Sequence, residues 1–409
     1  MFRVGCALLL VSLQLAAQSS PSVQQLEAQA RERLAARDAN GALAIYEQLA
    51  QLFPNSAFYQ DQIGFLLAAT NRAPDSIPHF QRATELDPKL AQAWYHLGAA
   101  QCILHHGDSC IEALRKAAAL APDNADYRFH LGSAYVDAHH YSEAVPELAK
   151  ASRQMPRNAA LWADLGLAYQ QQRQLKAARA AYTKALALDP KNTAVRNSYG
   201  YVLTESGDAA GGLREFRKVL QQDPNDVHVQ VNVGYAYIGL GDLKEAIKVL
   251  SAVVQSHPDV ASAHYNLGVA YKESDDLPHA KTELERAAAL EPSLAAAHYT
   301  LAAIYEDQGN LDGAVQQLRA AVAQQPAYVD AWYQLGTILK QQGNVDGAIE
   351  ALRHSVALDD QDAGAFNTLG LLLRKRGDTQ AAADAFAKAA AIRAAENQRK
   401  QKALGQASQ

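Results

Sequence analysis

Nine prolines recur at one fixed interval, and that interval decides what this chain can fold into. Pro54, Pro88, Pro122, Pro156, Pro190, Pro224, Pro258, Pro292 and Pro326 are each 34 residues apart. A period of this size means one supersecondary unit per repeat, and a unit so short cannot bury its own apolar face without a stacked neighbour. Two further ladders keep step with the prolines. One runs Gly64, Gly98, Gly132, Gly166, Gly200, Gly234, Gly268, Ala302, Gly336 and Gly370. The other runs Ala42, Ser76, Cys110, Ala144, Ala178, Gly212, Ala246, Ala280, Ala314, Ala348 and Ala382.

Together the ladders describe two antiparallel helices per unit. Small residues belong where helices cross, since a larger side chain holds the backbones apart. Bulky residues then fill the space beside the crossing: Trp94, Trp162, Trp332 and Phe366 early in the first helix, and Phe80, Tyr182, Phe216 and Phe386 in the second. Proline ends the second helix, because it lacks an N–H and biases its predecessor away from helical angles. Gly207, Gly241, Gly309, Gly343 and Gly377, each followed by Asp or Asn, mark the turn between the two helices. Gly211 and Gly212 fall at the start of a second helix, where glycine costs about 1 kcal/mol relative to alanine, so the sixth unit reads as a soft joint.

The pattern resembles the tetratricopeptide repeat, and Trp162, Leu165, Gly166, Tyr169, Ala178, Tyr182 and Pro190 match its signature residue by residue. The resemblance covers residues 23–396 as eleven units without insertion or deletion, starting at 23, 57, 91, 125, 159, 193, 227, 261, 295, 329 and 363. It implies an all-α fold, a right-handed superhelical solenoid of antiparallel helix pairs. Residues 397–409 read as an extension of the last helix followed by a polar tail, because Ala394 stands where the proline would be.

Charge and motifs exclude several function classes. A formal net charge of -5 gives no electrostatic drive toward nucleic acid, which is not an expected partner. The repeats leave no room for a separate catalytic domain, and no P-loop, Gly-x-Ser-x-Gly elbow, His-Glu-x-x-His pair or Cys-x-x-Cys is present. No catalytic residue and no cofactor are expected. At the amino end, Arg3, the apolar run from Val4 to Leu15, and Ala16 and Ala17 have the layout of a secretory signal peptide, with a short linker to residue 20. An uncleaved anchor is the competing reading of that run. No later segment is apolar enough to span a membrane, so an exported, periplasmic or secreted bacterial protein is expected.

Three cysteines build no disulfide framework. Cys110 sits on the small-residue ladder and reads most simply as a packing atom group. Cys102 falls close enough to it that a bridge is geometrically open in an oxidising compartment. His105, His106 and Asp108 lie beside them, and His139 and His140 repeat the register. Polar turn residues explain these histidines, and no metal is expected there.

What the resemblance implies for function is a ligand groove lined by the first helix of each unit. Its registers hold Tyr95, Phe129, Asn197, Tyr265, Tyr299 and Tyr333 in one row, Tyr201 and Tyr235 in a neighbouring row, and Asn232 and Asn266 beside them. Tyrosine offers a stiff contact area with a polar tip, and asparagine can bond a peptide main chain. The asparagines are locally similar to the ladder in the repeat region of O-GlcNAc transferases. A plain structural role, packing against the next repeat, competes for the tyrosines. The expected activity is that of a scaffold or assembly factor for extended segments of other proteins. The alternatives are a non-catalytic accessory subunit of a separately encoded envelope transferase or protease, and a homo-oligomeric structural protein.

Overall fold

The computed structural model describes residues 22–407, and the proposed signal segment lies outside them. Two compact units make up the chain, one ending at Val202 and the other starting at Leu203. The first contains α1 (Val23–Ala35), α2 (Ala39–Leu52), α3 (Ala57–Ala69), α4 (Ala73–Leu86), α5 (Ala91–Ile103), α6 (Gly107–Leu120), α7 (Ala125–Asp137), α8 (Tyr141–Gln154), α9 (Ala159–Gln171), α10 (Leu175–Leu188) and most of α11 (Thr193–Glu205). The second holds α12 (Ala209–Leu220), α13 (Val227–Gly239), α14 (Leu243–Ser256), α15 (Ala261–Glu273), α16 (Leu277–Leu290), α17 (Ala295–Asp307), α18 (Leu311–Gln324), α19 (Val329–Gln341), α20 (Val345–Leu358), α21 (Ala363–Arg376) and α22 (Thr379–Ala407). No strand occurs among the described residues, and the fold is an all-α repeat solenoid of stacked helix pairs.

One turn, used eleven times, fixes each pair. The left-handed residue that ends each first helix is Arg37, Asn71, His105, His139, Arg173, Asp275, Gly207, Gly241, Gly309, Gly343 or Gly377. These positions share one register, so histidine and arginine fill the place that glycine takes elsewhere. Two bonds close the motif, as in Arg37 N–H to the Leu34 carbonyl at 3.0 Å and Asp38 N–H to the Arg33 carbonyl at 2.8 Å. That pairing satisfies the carbonyls a helix end leaves open. Its last residue is at once the N-cap of the second helix. Asp38, Asp208, Asp242, Asp276, Asn310 and Asn344 accept there from the N–H three residues on.

Gly211 donates its N–H to the Asp208 carboxylate in the same cap, a place that Glu245 and His279 fill in the seventh and eighth repeats, so the cap itself does not require glycine. Gly212 is buried on the small-residue ladder.

The glycine ladder works through a constant partner sixteen residues on. A Cβ at Gly64 would fall 2.7 Å from Phe80, and one at Gly166 would fall 2.6 Å from Tyr182. Phe80, Leu114, Leu148, Tyr182, Leu250 and Leu284 are fully buried side chains that press against these bare helix faces. Burial of a side chain of this size contributes about 1.5–3 kcal/mol, repeated once per unit.

The tryptophan register does something the sequence reading did not assign to it. Trp94, Trp162 and Trp332 donate their indole N–H to the carbonyls of Pro88, Pro156 and Pro326, six residues earlier, at 2.9–3.0 Å. Arg128, Arg196, Gln230, His264 and His298 reach the carbonyls of Pro122, Pro190, Pro224, Pro258 and Pro292 from the same register. Residues of very different size therefore share one property, a nitrogen placed to hold the inter-repeat proline. In the last repeat Phe366 cannot donate, and the residue six before it is Asp360 rather than proline.

Candidate functional site

Packing between repeats shows which helices form the inner wall. Within the first unit α3 touches α5, α5 touches α7 and α7 touches α9; within the second, α13 touches α15. No two second helices make comparable contact among the described residues. First helices of successive repeats approach one another at these places where second helices do not, and the sequence-predicted groove residues are carried by first helices.

In the first unit the wall is polar and cross-linked from repeat to repeat. Asp61 on α3 is buried, and its carboxylate accepts from Gln92 at 3.2 Å and pairs with His96 Nδ1 at 2.8 Å, both on α5. Tyr95 stacks on Tyr127 of α7 with ring centroids 4.7 Å apart and meets His130 edge-on at 5.1 Å. Burial first, then Asp126 and Tyr127, pushes the Tyr95 phenol above its ordinary value. Phe129 sits half-buried beside His130. Ser133 on α7 donates to Asp164 on α9. Asn197 and Tyr201 are half-buried on α11.

In the second unit the wall carries tyrosines and amides. Tyr235 on α13 is half-buried, and its hydroxyl donates to Glu205. Tyr265 on α15 packs against the core of Ala280, Leu284, Leu301 and Ile304. Burial raises its phenol pKa, partly offset by a hydrogen bond with Thr300. Tyr299 on α17 lies 5.0 Å from Tyr328, and both phenols are raised, Tyr328 to about 12, chiefly by burial. Tyr333 is half-buried on α19 against the core of the last three repeats.

Tyr299 lies beside Tyr328, the N-cap residue of α19, which the register argument missed because it precedes the helix. The signal was present: Tyr127, near the start of α7, stands by Tyr95 in the same way. Asn232 and Asn266 are both half-exposed on the wall. Among the described residues, no side-chain hydrogen bond engages the Asn266 amide or the Tyr299 and Tyr333 hydroxyls.

Cys102, in the last turn of α5, is joined to Cys110 on α6, with Cα atoms 5.1 Å apart. The bridge ties the two helices of the third repeat across their turn. A hollow of about 180 Å³ beside it is lined by His105, Gly107, Ala134, Asp137 and Ala138 as well as the two cysteines. His105 and His139 occupy the left-handed turn position, where they close the backbone motif, and His139 Nδ1 bonds the Tyr141 hydroxyl at 2.7 Å. No group of three or more His, Cys, Asp or Glu side chains converges on a metal-sized space among the described residues. No helix among them is long and apolar enough to cross a membrane.

Comparison with known proteins places these repeats. Residues 146–263 match the family model of the cytochrome c-type biogenesis protein H TPR domain. Residues 237–304 match one tetratricopeptide-repeat model, and residues 300–363 and 333–399 match another, so the matches run through more than half of the chain. No curated protein sequence matches. Among solved structures, MamA is 25% identical over 41% of this chain and 97% of its own, with a TM-score of 0.38. YrrB, described as a TPR protein with an unusual peptide-binding site, is 17% identical over 45% of this chain and 95% of its own, with a TM-score of 0.43. The APC/C hetero-tetramer Cut9-Hcn1 is 15% identical over 91% of this chain and 87% of that one, with a TM-score of 0.42. With its repeat, its helix pairs and these family matches in agreement, the chain belongs to the tetratricopeptide-repeat proteins.

Proposed function

We propose that this protein is a non-catalytic scaffold that binds extended segments of other proteins along the inner wall of its repeats. The observation that carries the reading is the set of unengaged polar groups on an otherwise packed wall: the Asn266 amide and the Tyr299 and Tyr333 hydroxyls. Tyr299 and Tyr333 are held by packing against the core, yet their hydroxyls and the half-exposed Asn266 amide have no side-chain hydrogen bond among the described residues. An extended peptide brings one main-chain N–H and one C=O per residue and can satisfy them without a sequence requirement. Tetratricopeptide repeats are in general interaction modules rather than catalysts, which agrees with this reading.

The double variant Tyr265→Ala/Tyr333→Ala tests it, with a photo-crosslinker at position 299 in both the parent and the variant chain. Loss of crosslinked protein with helicity retained supports the reading; unchanged capture by the double variant refutes it.

A second reading is favoured by one specific observation, the match of residues 146–263 to a cytochrome c-type biogenesis repeat domain. Under it the chain is the accessory subunit of a separately encoded envelope machine. Co-purification with one stoichiometric enzyme partner separates that reading from a general scaffold. Both readings place the protein outside the cytoplasm, in agreement with the apolar run after Arg3 and with a disulfide that needs an oxidising compartment.

A further inference from the structure

One helix pair carries a covalent tie that the other repeats do without. The bridge from Cys102 to Cys110 spans the turn between α5 and α6. The backbone bonds of that turn run from His105 N–H to the Cys102 carbonyl and from His106 N–H to the Gln101 carbonyl at 2.9 Å each, and the same two bonds recur in every other repeat. Where Cys102 stands, the following repeats place Val136, Gln170, Thr204, Ile238 and Lys272, so the register asks for no particular side chain. Cys110 occupies the small-residue register, where alanine is usual and a free thiol packs as a small apolar group. Opening the bridge therefore leaves the turn closed and the core filled.

The two sulfurs are unequally placed. Cys110 is 2% exposed, whereas Cys102 is half-buried in the last turn of α5. Both line the hollow of about 180 Å³ that His105, Gly107, Ala134, Asp137 and Ala138 complete. That volume is several times the roughly 30 Å³ share of one water in the liquid, room enough for a thiol-bearing methylene. Exchange of a disulfide depends on which sulfur an incoming thiolate reaches, and accessible bridges are the labile ones. Access here favours Cys102.

We propose that this hollow is an exchange site at which the cysteine thiol of a ligand is captured as a mixed disulfide on Cys102. The ligand's thiolate bonds to the Cys102 sulfur as the bond to Cys110 breaks. The Cys110 sulfur leaves with the bonding pair and takes up the proton that the ligand thiol released. One S–S bond replaces another, so no oxidant or reductant is consumed. Re-attack by Cys110 on the Cys102 sulfur frees the ligand again, which makes the capture reversible. A cysteine in another polypeptide and a low-molecular-mass thiol share this chemistry. The site is independent of the groove reading, since a ligand held here need not touch the inner wall.

Two probes separate the sources: a blocked dodecapeptide with one central cysteine, and glutathione. The full-length bridged protein is incubated with an excess of each, quenched with iodoacetamide and mapped by peptide mass, which separates Cys102 from Cys6. The expected product carries the probe on Cys102 and the alkyl group on Cys110, with helicity unchanged. A probe on Cys110, or no adduct from either probe, overturns the proposal. A higher yield from the dodecapeptide assigns the site to polypeptides, and a higher yield from glutathione assigns it to small thiols; both support capture. With the disulfide form of each probe, Cys110→Ala is expected to retain the probe on its free Cys102 and Cys102→Ala to retain none on its buried Cys110; equal labelling of the two overturns the assignment. Ala138→Leu narrows the hollow and is expected to slow capture by about ten-fold, with Ala138→Val in its place if leucine unfolds the repeat. An unchanged rate in the folded variant places the reaction outside the hollow and overturns the site.

Discussion

Substituting Gly309 by alanine isolates the one backbone feature on which every helix pair depends. Gly309 sits at φ +71°, and a Cβ built there meets nothing within 4 Å. Packing therefore contributes nothing to the change, and only the left-handed conformation remains. That conformation costs an L-residue about 1–2 kcal/mol, offset by about 0.4–1 kcal/mol because alanine also restricts the unfolded chain. The net expectation is a loss of about 1 kcal/mol. Arg37 provides the mirror experiment, since it is exposed at φ +59° in the same register, and Arg37→Gly should gain a similar amount. Because repeat proteins depart from two-state unfolding, the proper readout is local amide hydrogen exchange rather than one global midpoint. About 1 kcal/mol is roughly five-fold in protection, lowered in α17 and α18 for Gly309→Ala and raised in α1 and α2 for Arg37→Gly. If both variants shift protection in the same direction, left-handed strain is not what distinguishes glycine from arginine at this turn.

Other consequences are as direct. Trp332→Phe keeps a ring but removes the N–H that holds the Pro326 carbonyl at 2.9 Å, and should cost about 1 kcal/mol, read as weaker protection at the α18–α19 junction; unchanged protection would mean that the ring alone matters. Tyr59 and Tyr328 have phenols pushed up to about 12, chiefly by burial, with the Glu27 carboxylate adding to Tyr59. The fold thus favours their neutral forms, so the stability they supply is complete below pH 10 and is lost as pH rises through about 12. Absorbance titration should find tyrosines ionising late and together with loss of helix, and normal titration of all eighteen would refute it. Alkylation with and without reductant should differ by the mass of two added groups at Cys102 and Cys110, and an identical mass would show them unbridged.

How much of this was written legibly in the chain depends on whether a residue type has one physical reason or several. The period, the glycine face and the small-residue ladder were readable because Gly166 or Ala178 at a helix crossing has little other purpose, and the structure sets Tyr182 against Gly166. The left-handed turn was readable only where glycine marks it. At Arg37, His105 and His139 the same geometry is filled by residues whose identity carries no turn signal, and the histidines there resemble a ligand cluster until the backbone is seen. The donor register was hidden for the opposite reason. Trp94, Arg128, Gln230 and His264 have no common size or hydropathy, and only their shared side-chain N–H near a proline carbonyl unites them. Tyr328 escaped because its role depends on a neighbour one repeat away, a distance that a register within one helix does not express.

Internal repetition also separates what the fold demands from what it leaves open. Every unit is subject to nearly the same packing problem, so a register whose chemistry is the same in all units is one the fold has fixed. The small ladder and the left-handed turn behave this way throughout, and the proline-holding nitrogen does so from the third repeat to the tenth. Along the inner row, Asp61, Tyr95, Phe129, Ala163, Asn197, Val231, Tyr265 and Tyr299 occupy one equivalent position with almost no chemistry in common. A stacked helix pair with a constant turn does not require an aspartate in one unit and a tyrosine in the next. The choice at that register must therefore answer to something outside the repeat itself, partly to the adjoining unit, as in the Asp61–His96 pair, and otherwise to what lies against the wall. The unengaged hydroxyls of Tyr299 and Tyr333 are what remain once the contacts with neighbouring repeats are subtracted. These residues are where specificity resides if this chain discriminates among ligands.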